Sequence, residues 1–120
     1  MSGRMLQRRV VVFLSHADPG ALRLAGSCAL AAAAMGDRVD VYLFGPAVPA
    51  LVAAHEAEPD EPGALLHQAR GAGTCRLVAC SASVVEEKVP LAATEQALDA
   101  VVGWPTIVEW SRGVVDRFFF

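Results

Sequence analysis

The stretch Val-Val-Val-Phe-Leu at residues 10–14 decides how this chain folds. Five consecutive apolar residues are typical of a strand that is buried on both faces, as in a parallel sheet. The segment Ser-His-Ala-Asp-Pro-Gly at residues 15–20 ends the run, and Asp18 can cap a helix that begins at Pro19. The alanine-rich residues 19–35 predict that helix, Gly36 ends it, and residues 39–44 predict a second strand. The first 45 residues therefore predict a β-α-β unit.

The rest of the chain continues the alternation of strands and helices. A helix at residues 64–72 precedes a third buried strand at residues 76–80, and residues 114–120 predict a final strand. Shorter helices are predicted at residues 48–57 and 105–112, residues 92–101 favour one or two helical turns, and residues 84–90 are ambiguous. We therefore expect one α/β domain over residues 1–120. Its mostly parallel five-stranded sheet would form three layers, with helices on both faces, in a flavodoxin-like arrangement.

Composition and charge exclude several classes of protein. A chain of 120 residues supplies one core, and a hydrophobic content of 54% excludes intrinsic disorder. The net charge of −3, without clustered Lys and Arg, argues against nucleic acid as a partner. The longest apolar stretch, residues 25–35, is too short to cross a membrane, and residues 10–14 are too few for a secretory signal. We expect a cytoplasmic protein whose surplus apolar surface is buried in a homo-oligomer.

The ends of the predicted strands carry the candidate functional side chains. His16 follows the first strand, and Cys80 closes the third. Ligands of such folds bind beside the carboxyl ends of the strands. In a flavodoxin-like strand order the first and third strands are neighbours, so His16 and Cys80 would meet in one crevice. There the imidazole, which titrates near neutral pH, could stabilise a thiolate or move a proton. It could equally be a solvated loop residue.

Cys80 is the candidate nucleophile among three cysteines. Ser81-Ala82-Ser83 behind it are typical of a helix start, where backbone N–H groups and the helix dipole favour an anion such as a thiolate. The alternative is that Cys80 is a small buried packing residue, the commonest role of a free cysteine. Cys75 begins the same strand, too far from Cys80 for a disulfide, and Cys28 lies among helical alanines. Both are interpreted as packing residues.

Other motifs of catalysis and ligand binding are missing from the sequence. There is no Gly-rich dinucleotide or phosphate loop and no nucleophile elbow, so NAD, ATP and hydrolase functions lose support. His55 and His67 have no partner at metal-ligand spacing. We therefore expect neither a cofactor nor a metal ion.

Four segments of the sequence resemble the DsrE/DsrF-like sulfur-relay family. They are the first strand with its acidic-Pro turn, the helix end Ala34-Met35-Gly36, the strand at residues 39–45, and the segment Arg-Leu-Val-Ala-Cys-Ser-Ala-Ser at residues 76–83. The tail, residues 103–120, also looks like the family's closing helix and strand. This resemblance implies a compact α/β domain that assembles into trimers or hexamers. It also implies that Cys80 carries a persulfide sulfur and passes it to a partner protein.

Two functions of different classes follow from these observations. In the first, the chain is a cytosolic, sulfurtransferase-like sulfur carrier, with Cys80 taking sulfur from a donor protein and giving it to an acceptor. In the second, it is a non-catalytic oligomeric module whose crevice binds a small ligand or a protein, and Cys80 only packs.

Overall fold

The computed structural model describes residues 7–120, which form an α/β domain. The elements in chain order are β1 (Arg9–Leu14), α1 (Pro19–Ala34), β2 (Arg38–Leu43), α2 (Ala47–Ala53), a 3₁₀ turn (Ala54–Glu56), α3 (Ala64–Gly71), β3 (Cys75–Cys80), α4 (Ser81–Glu86), α5 (Leu91–Ala97), β4 (Ala100–Val102), α6 (Trp104–Trp110) and β5 (Asp116–Phe119). The predicted β-α-β unit is confirmed. Asp18 caps α1 by accepting a hydrogen bond from the Ala21 N–H at 3.0 Å, and Gly36 follows the helix with a φ of 89°.

The five strands form one parallel sheet in the order β4-β3-β2-β1-β5. The predicted fold class, with a flavodoxin-like layering, is confirmed. The expectation that the first and third strands are neighbours is wrong, because β2 lies between β1 and β3. β3 pairs with the free edge of β2, the strand that precedes it in the chain, as consecutive strands usually do, and the other edge of β1 is filled by β5.

Side chains alternate along each strand, so each sheet face has its own core. One face packs against α1 to α5 and holds the larger core, which includes Val12, Val41 and Leu77. The other, which we call the α6 face, is covered by α6 and holds a smaller cluster whose buried members are Val11, Tyr42, Val78, Cys80 and Ile107. Helices therefore cover both faces, as predicted, but five of them lie on one face and one on the other.

One segment departs from its predicted structure, and one ambiguous segment is resolved. Within residues 92–101 the sequence favours one or two helical turns, which α5 supplies up to Ala97, but Ala100–Val102 form the edge strand β4, which was not predicted. Asp99 explains the change of direction, because its Oδ2 accepts a hydrogen bond from the Leu77 N–H at 2.7 Å and so fixes this segment beside β3. The ambiguous stretch after Cys80 is resolved as α4 and a turn in which Lys88 has a φ of 56°.

Across residues 7–120, no helix combines the length and the apolar character needed to span a membrane.

Gly26 allows α1 and α3 to pack closely. A Cβ at position 26 would lie 2.6 Å from the Cβ of Leu65, whereas a Cβ at Gly71 in α3 would meet nothing within 4 Å. We expect Gly26→Ala to lower the free energy of unfolding by about 1–3 kcal/mol, since the clash outweighs the gain in helix propensity. The matched control Gly71→Ala should instead raise it by roughly 0.5 kcal/mol. Urea denaturation measures both, and equal effects would contradict the close contact.

Candidate functional site

Cys80 is the last residue of β3, and α4 begins at the next residue. Its backbone is still extended, with φ −72° and ψ 124°, so the chain turns from strand to helix at this residue. The predicted strand-end position is confirmed. The side chain lies in the α6-face cluster and is only 2% exposed, so the thiol is buried rather than exposed in an open crevice.

The turn at Cys80 is fastened to the end of the neighbouring strand. The Gly45 N–H, just beyond β2, donates a hydrogen bond of 2.9 Å to the Ser83 Oγ in the first turn of α4. Gly45 has a φ of 54°, a backbone conformation that glycine adopts without strain. The carboxyl ends of β2 and β3 are therefore held together at the level of Cys80.

Aromatic rings surround this part of the α6 face. Phe44, directly after β2, stacks on Trp104 of α6 with a centroid distance of 5.0 Å and an interplanar angle of 20°. Phe13 contacts Phe44 at 6.1 Å and Phe119 at 4.9 Å. Phe44 belongs with Cys80 to the α6-face cluster, so the immediate surroundings of the thiol are apolar.

An ion pair fixes the other end of α6. The Asp40 carboxylate accepts hydrogen bonds of 2.8 and 3.0 Å from the guanidinium of Arg76, which in turn lies 4.3 Å from the centre of the Trp110 ring. Burial, reinforced by the charge of Asp40, raises the pKa of Tyr42 to about 12, so its hydroxyl stays neutral. Arg76 precedes Cys80 by four residues, roughly 13 Å along the strand, and so positions the helix rather than contacting the thiol.

The other two cysteines lie in different environments. Cys75, at the opposite end of β3, faces the larger core and is 4% exposed. Burial, together with the negative charges of Asp99 and Asp40, raises its pKa to about 12, so it holds little thiolate at neutral pH. Cys28 in α1 is half-buried, and burial raises its pKa as well. Both positions agree with packing roles.

His16 is exposed in the loop after β1, with its Nδ1 3.3 Å from the Ser15 Oγ. The structure does not bring it beside Cys80 by the predicted route, because β2 separates the two strand ends. Two strand spacings amount to about 9.5 Å between the backbones. The strand order on which the predicted contact between His16 and Cys80 rested is wrong. The catalytic role of His16 itself stays a prediction.

The structure brings together two histidines that the sequence separates by twelve positions. The rings of His55 and His67 have centroids 5.6 Å apart beside a cavity of about 240 Å³. The His67 Nε2 is 2.8 Å from the Leu51 carbonyl oxygen, and burial lowers the pKa of this imidazole. No group of three metal-ligating side chains forms within residues 7–120. Only the tertiary packing of α3 against the 3₁₀ turn reveals this pair.

A larger cavity, about 660 Å³, opens between α4 and α5. Its walls are apolar, with Lys88 and Glu95 as the charged side chains, and Ser81 at one end. It borders the face that carries Val101, whereas the Cys80 side chain belongs to the α6 face. No pattern in the sequence indicates this cavity, because its lining comes from the ambiguous segment after Cys80 and from the region of the unpredicted strand β4.

Comparisons with known proteins agree with the observed fold. The model of the DsrE/DsrF-like family matches residues 8–111. The YchN protein from E. coli is similar in structure, with a TM-score of 0.71 at 14% identity over 96% of this chain and 100% of that one. The protein of unknown function MTH1491 from Methanobacterium thermoautotrophicum gives a TM-score of 0.70 at 21% identity, covering 92% and 99%. No curated protein matches the chain significantly.

Replacing His16 tests whether the imidazole acts on the thiol. A protonated imidazole in contact with Cys80 would favour the thiolate, and His16→Gln would then shift the pH profile of Cys80 alkylation to higher pH. Because β2 intervenes, we expect superimposable profiles for His16→Gln and the parent protein. Site-resolved iodoacetamide labelling measures them. A clear shift would show that the loop reaches across β2 and would return His16 to the site.

Proposed function

Because the chain belongs to the DsrE/DsrF-like family, we propose that it is a cytosolic sulfur carrier and that Cys80 accepts and passes on sulfane sulfur. One observation carries the assignment: among the three cysteines, only Cys80 lies at the carboxyl end of a parallel strand, directly before a helix. This edge of the sheet is where ligands of open α/β folds bind. Cys28 lies within α1 and Cys75 at the opposite end of β3.

The transfer consists of two thiol exchange reactions. The Cys80 thiolate attacks the outer sulfur of a donor persulfide, a new S–S bond forms on Cys80, and the donor's own S–S bond breaks to release its thiolate. An acceptor thiolate then attacks the outer sulfur on Cys80, and the Cys80 thiolate leaves. The sulfane sulfur keeps its oxidation state through both steps, so no external oxidant or reductant takes part.

The residues around Cys80 support this chemistry in two ways. α4 begins directly after Cys80, and the first backbone N–H groups of a helix favour an anion, although the Cys80 side chain accepts no hydrogen bond from them in this conformation. The apolar side chains of the α6-face cluster exclude water and unselected thiols, which would otherwise discharge the persulfide.

Persulfide formation at Cys80 is the direct test. After incubation with a polysulfide or a low-molecular-weight persulfide, peptide mass spectrometry should find one added sulfur atom on Cys80, and an acceptor thiol should remove it. Cys80→Ser should lose the added sulfur, while Cys75→Ser should keep it, because Cys75 is buried on the other face. Absence of sulfur on Cys80, or equal loading of Cys28, would contradict the proposal.

A non-catalytic binding module is the second candidate function, favoured by the 2% exposure of Cys80 and by the cavity of about 660 Å³ between α4 and α5. A cavity of this size suits a small ligand. In that case Cys80 only packs, and the persulfide experiment gives no sulfur at this residue.

We also propose that the chain assembles into a homo-oligomer through its α6 face. Val108 and Phe119 are large apolar residues that are 51% and 71% exposed on α6 and β5. A seven-residue helix leaves much of this face uncovered, and a second copy would bury it. The trimer or hexamer implied by the family resemblance is a further part of this proposal.

Sedimentation velocity at micromolar concentration should show a species larger than the monomer. Val108→Glu should shift it toward the monomer, because it places a charge in the buried interface. The matched control Val85→Glu, at an exposed position on α4, should not. A monomeric parent protein would contradict assembly, and dissociation by Val85→Glu alone would place the interface elsewhere.

A further inference from the structure

An aromatic residue follows each of the two strands that flank β3, close to the level of Cys80. Leu43 pairs with Ala79, so Phe44 follows β2 beside Cys80. On the other side, Val102 of β4 pairs directly with Cys80, and Trp104 begins α6 two residues later. A Cβ at Gly103 would lie 3.6 Å from the Ser81 Oγ, so the start of α6 is close against the end of β3.

The stacked rings of Phe44 and Trp104 bridge this gap. Phe44 follows β2 and Trp104 follows β4, two strands that are about 9.5 Å apart on either side of β3, yet the two ring centroids are 5.0 Å apart. The stack therefore spans the carboxyl end of β3. Phe44 and Cys80 belong to the same α6-face cluster, so the stack lies on the face that carries the thiol. Cys80 packs in this cluster with Phe44 and Val102 and is only 2% exposed although it terminates its strand.

We propose that the Phe44–Trp104 stack is a movable cover over Cys80 and that Trp104 controls which sulfur donors and acceptors reach the thiol. This inference rests on the proposed function of Cys80. Small donors such as polysulfide ions need only a brief opening, whereas a persulfide carried by a protein needs Trp104 to swing fully aside.

The two rings differ in how firmly they are held. Phe44 also packs against Phe13 and follows a buried strand, so its position is fixed. Trp104 is 52% exposed and is the first residue of its helix, and the buried anchor of α6 is Ile107, one turn further on. The indole can therefore leave the stack by rotating its side chain, without displacing the helix. That asymmetry makes Trp104 the moving part.

Alkylation rates measured at each cysteine separate this role from a merely structural one. Iodoacetamide serves as the small probe and fluorescein maleimide as the bulky one, with peptide mass spectrometry reporting every site at pH 8. We expect Trp104→Ala to accelerate labelling of Cys80 about three- to tenfold, the range that corresponds to loss of one aromatic pair. The bulky probe should gain more than the small one. Trp104→Phe, which keeps a stacking ring, should restore slow labelling.

Two controls keep the test independent of folding and assembly. Val108→Ala removes an equally exposed apolar side chain from the same helix, so any loosening of contacts between subunits is shared by both variants. Cys75, buried in the other core, reports global loosening. Cys80 rates in Trp104→Ala that equal those in Val108→Ala, or that rise in parallel with Cys75, would overturn the cover.

The result of the alkylation experiment is independent of the result of the persulfide experiment, because alkylation requires no sulfur transfer. Selective acceleration at Cys80 in Trp104→Ala supports the cover even where no persulfide forms. Persulfide formation on a parent protein whose alkylation does not respond to Trp104 refutes the cover alone.

Discussion

The parallel hydrogen bonding of β3 between β2 and β4 is the constraint on which the site depends. It fixes the register of three strands, so that Leu43, Ala79 and Val101 lie in one row and the residues after them in the next. Because side chains alternate along a strand, the same pairing sends Cys75 and Cys80 to opposite faces. One backbone pattern thus gives two cysteines of a six-residue strand different neighbours.

The unequal cores of the two faces have a physical basis in the connections. The links from β1 to β4 run through α1 to α5 and place five helices on one face, whereas the single link from β4 back to β5 brings α6 to the other. The thin layer on the α6 face must hold its helix by directional contacts. Arg76 packs on Trp110, and Arg9 donates hydrogen bonds to the carbonyl oxygens of Trp110 and Arg112. These cations meet the carboxyl end of α6, where a helix favours positive charge.

The sequence was informative where the chain's own pattern controls the structure. The apolar run at residues 10–14, the cap at Asp18 and the stop at Gly36 predicted the β-α-β unit, and the run at residues 76–80 placed Cys80 at a strand end. Strand order was not accessible in the same way, because it depends on which edges pair in space. β4 was missed since three residues of an edge strand carry no periodicity, and Asp99 fixes them through a tertiary hydrogen bond. The burial of Cys80 likewise depends on a cluster that includes Tyr42, Phe44 and Ile107, which are distant from it in sequence.

The position of β5 has a consequence for how the chain reaches its fold. β1 is an interior strand of the sheet. One of its edges pairs with β2, and the other pairs with β5, which lies more than a hundred residues later in the chain. During synthesis the run at residues 10–14 has paired on one side only, and its other edge stays open until residues 116–119 leave the ribosome. An apolar strand with a free edge is a template for pairing with another chain. Misassembly of nascent chains should therefore concentrate at β1, and a chaperone that guards this protein would have to shield that edge until β5 is available to pair.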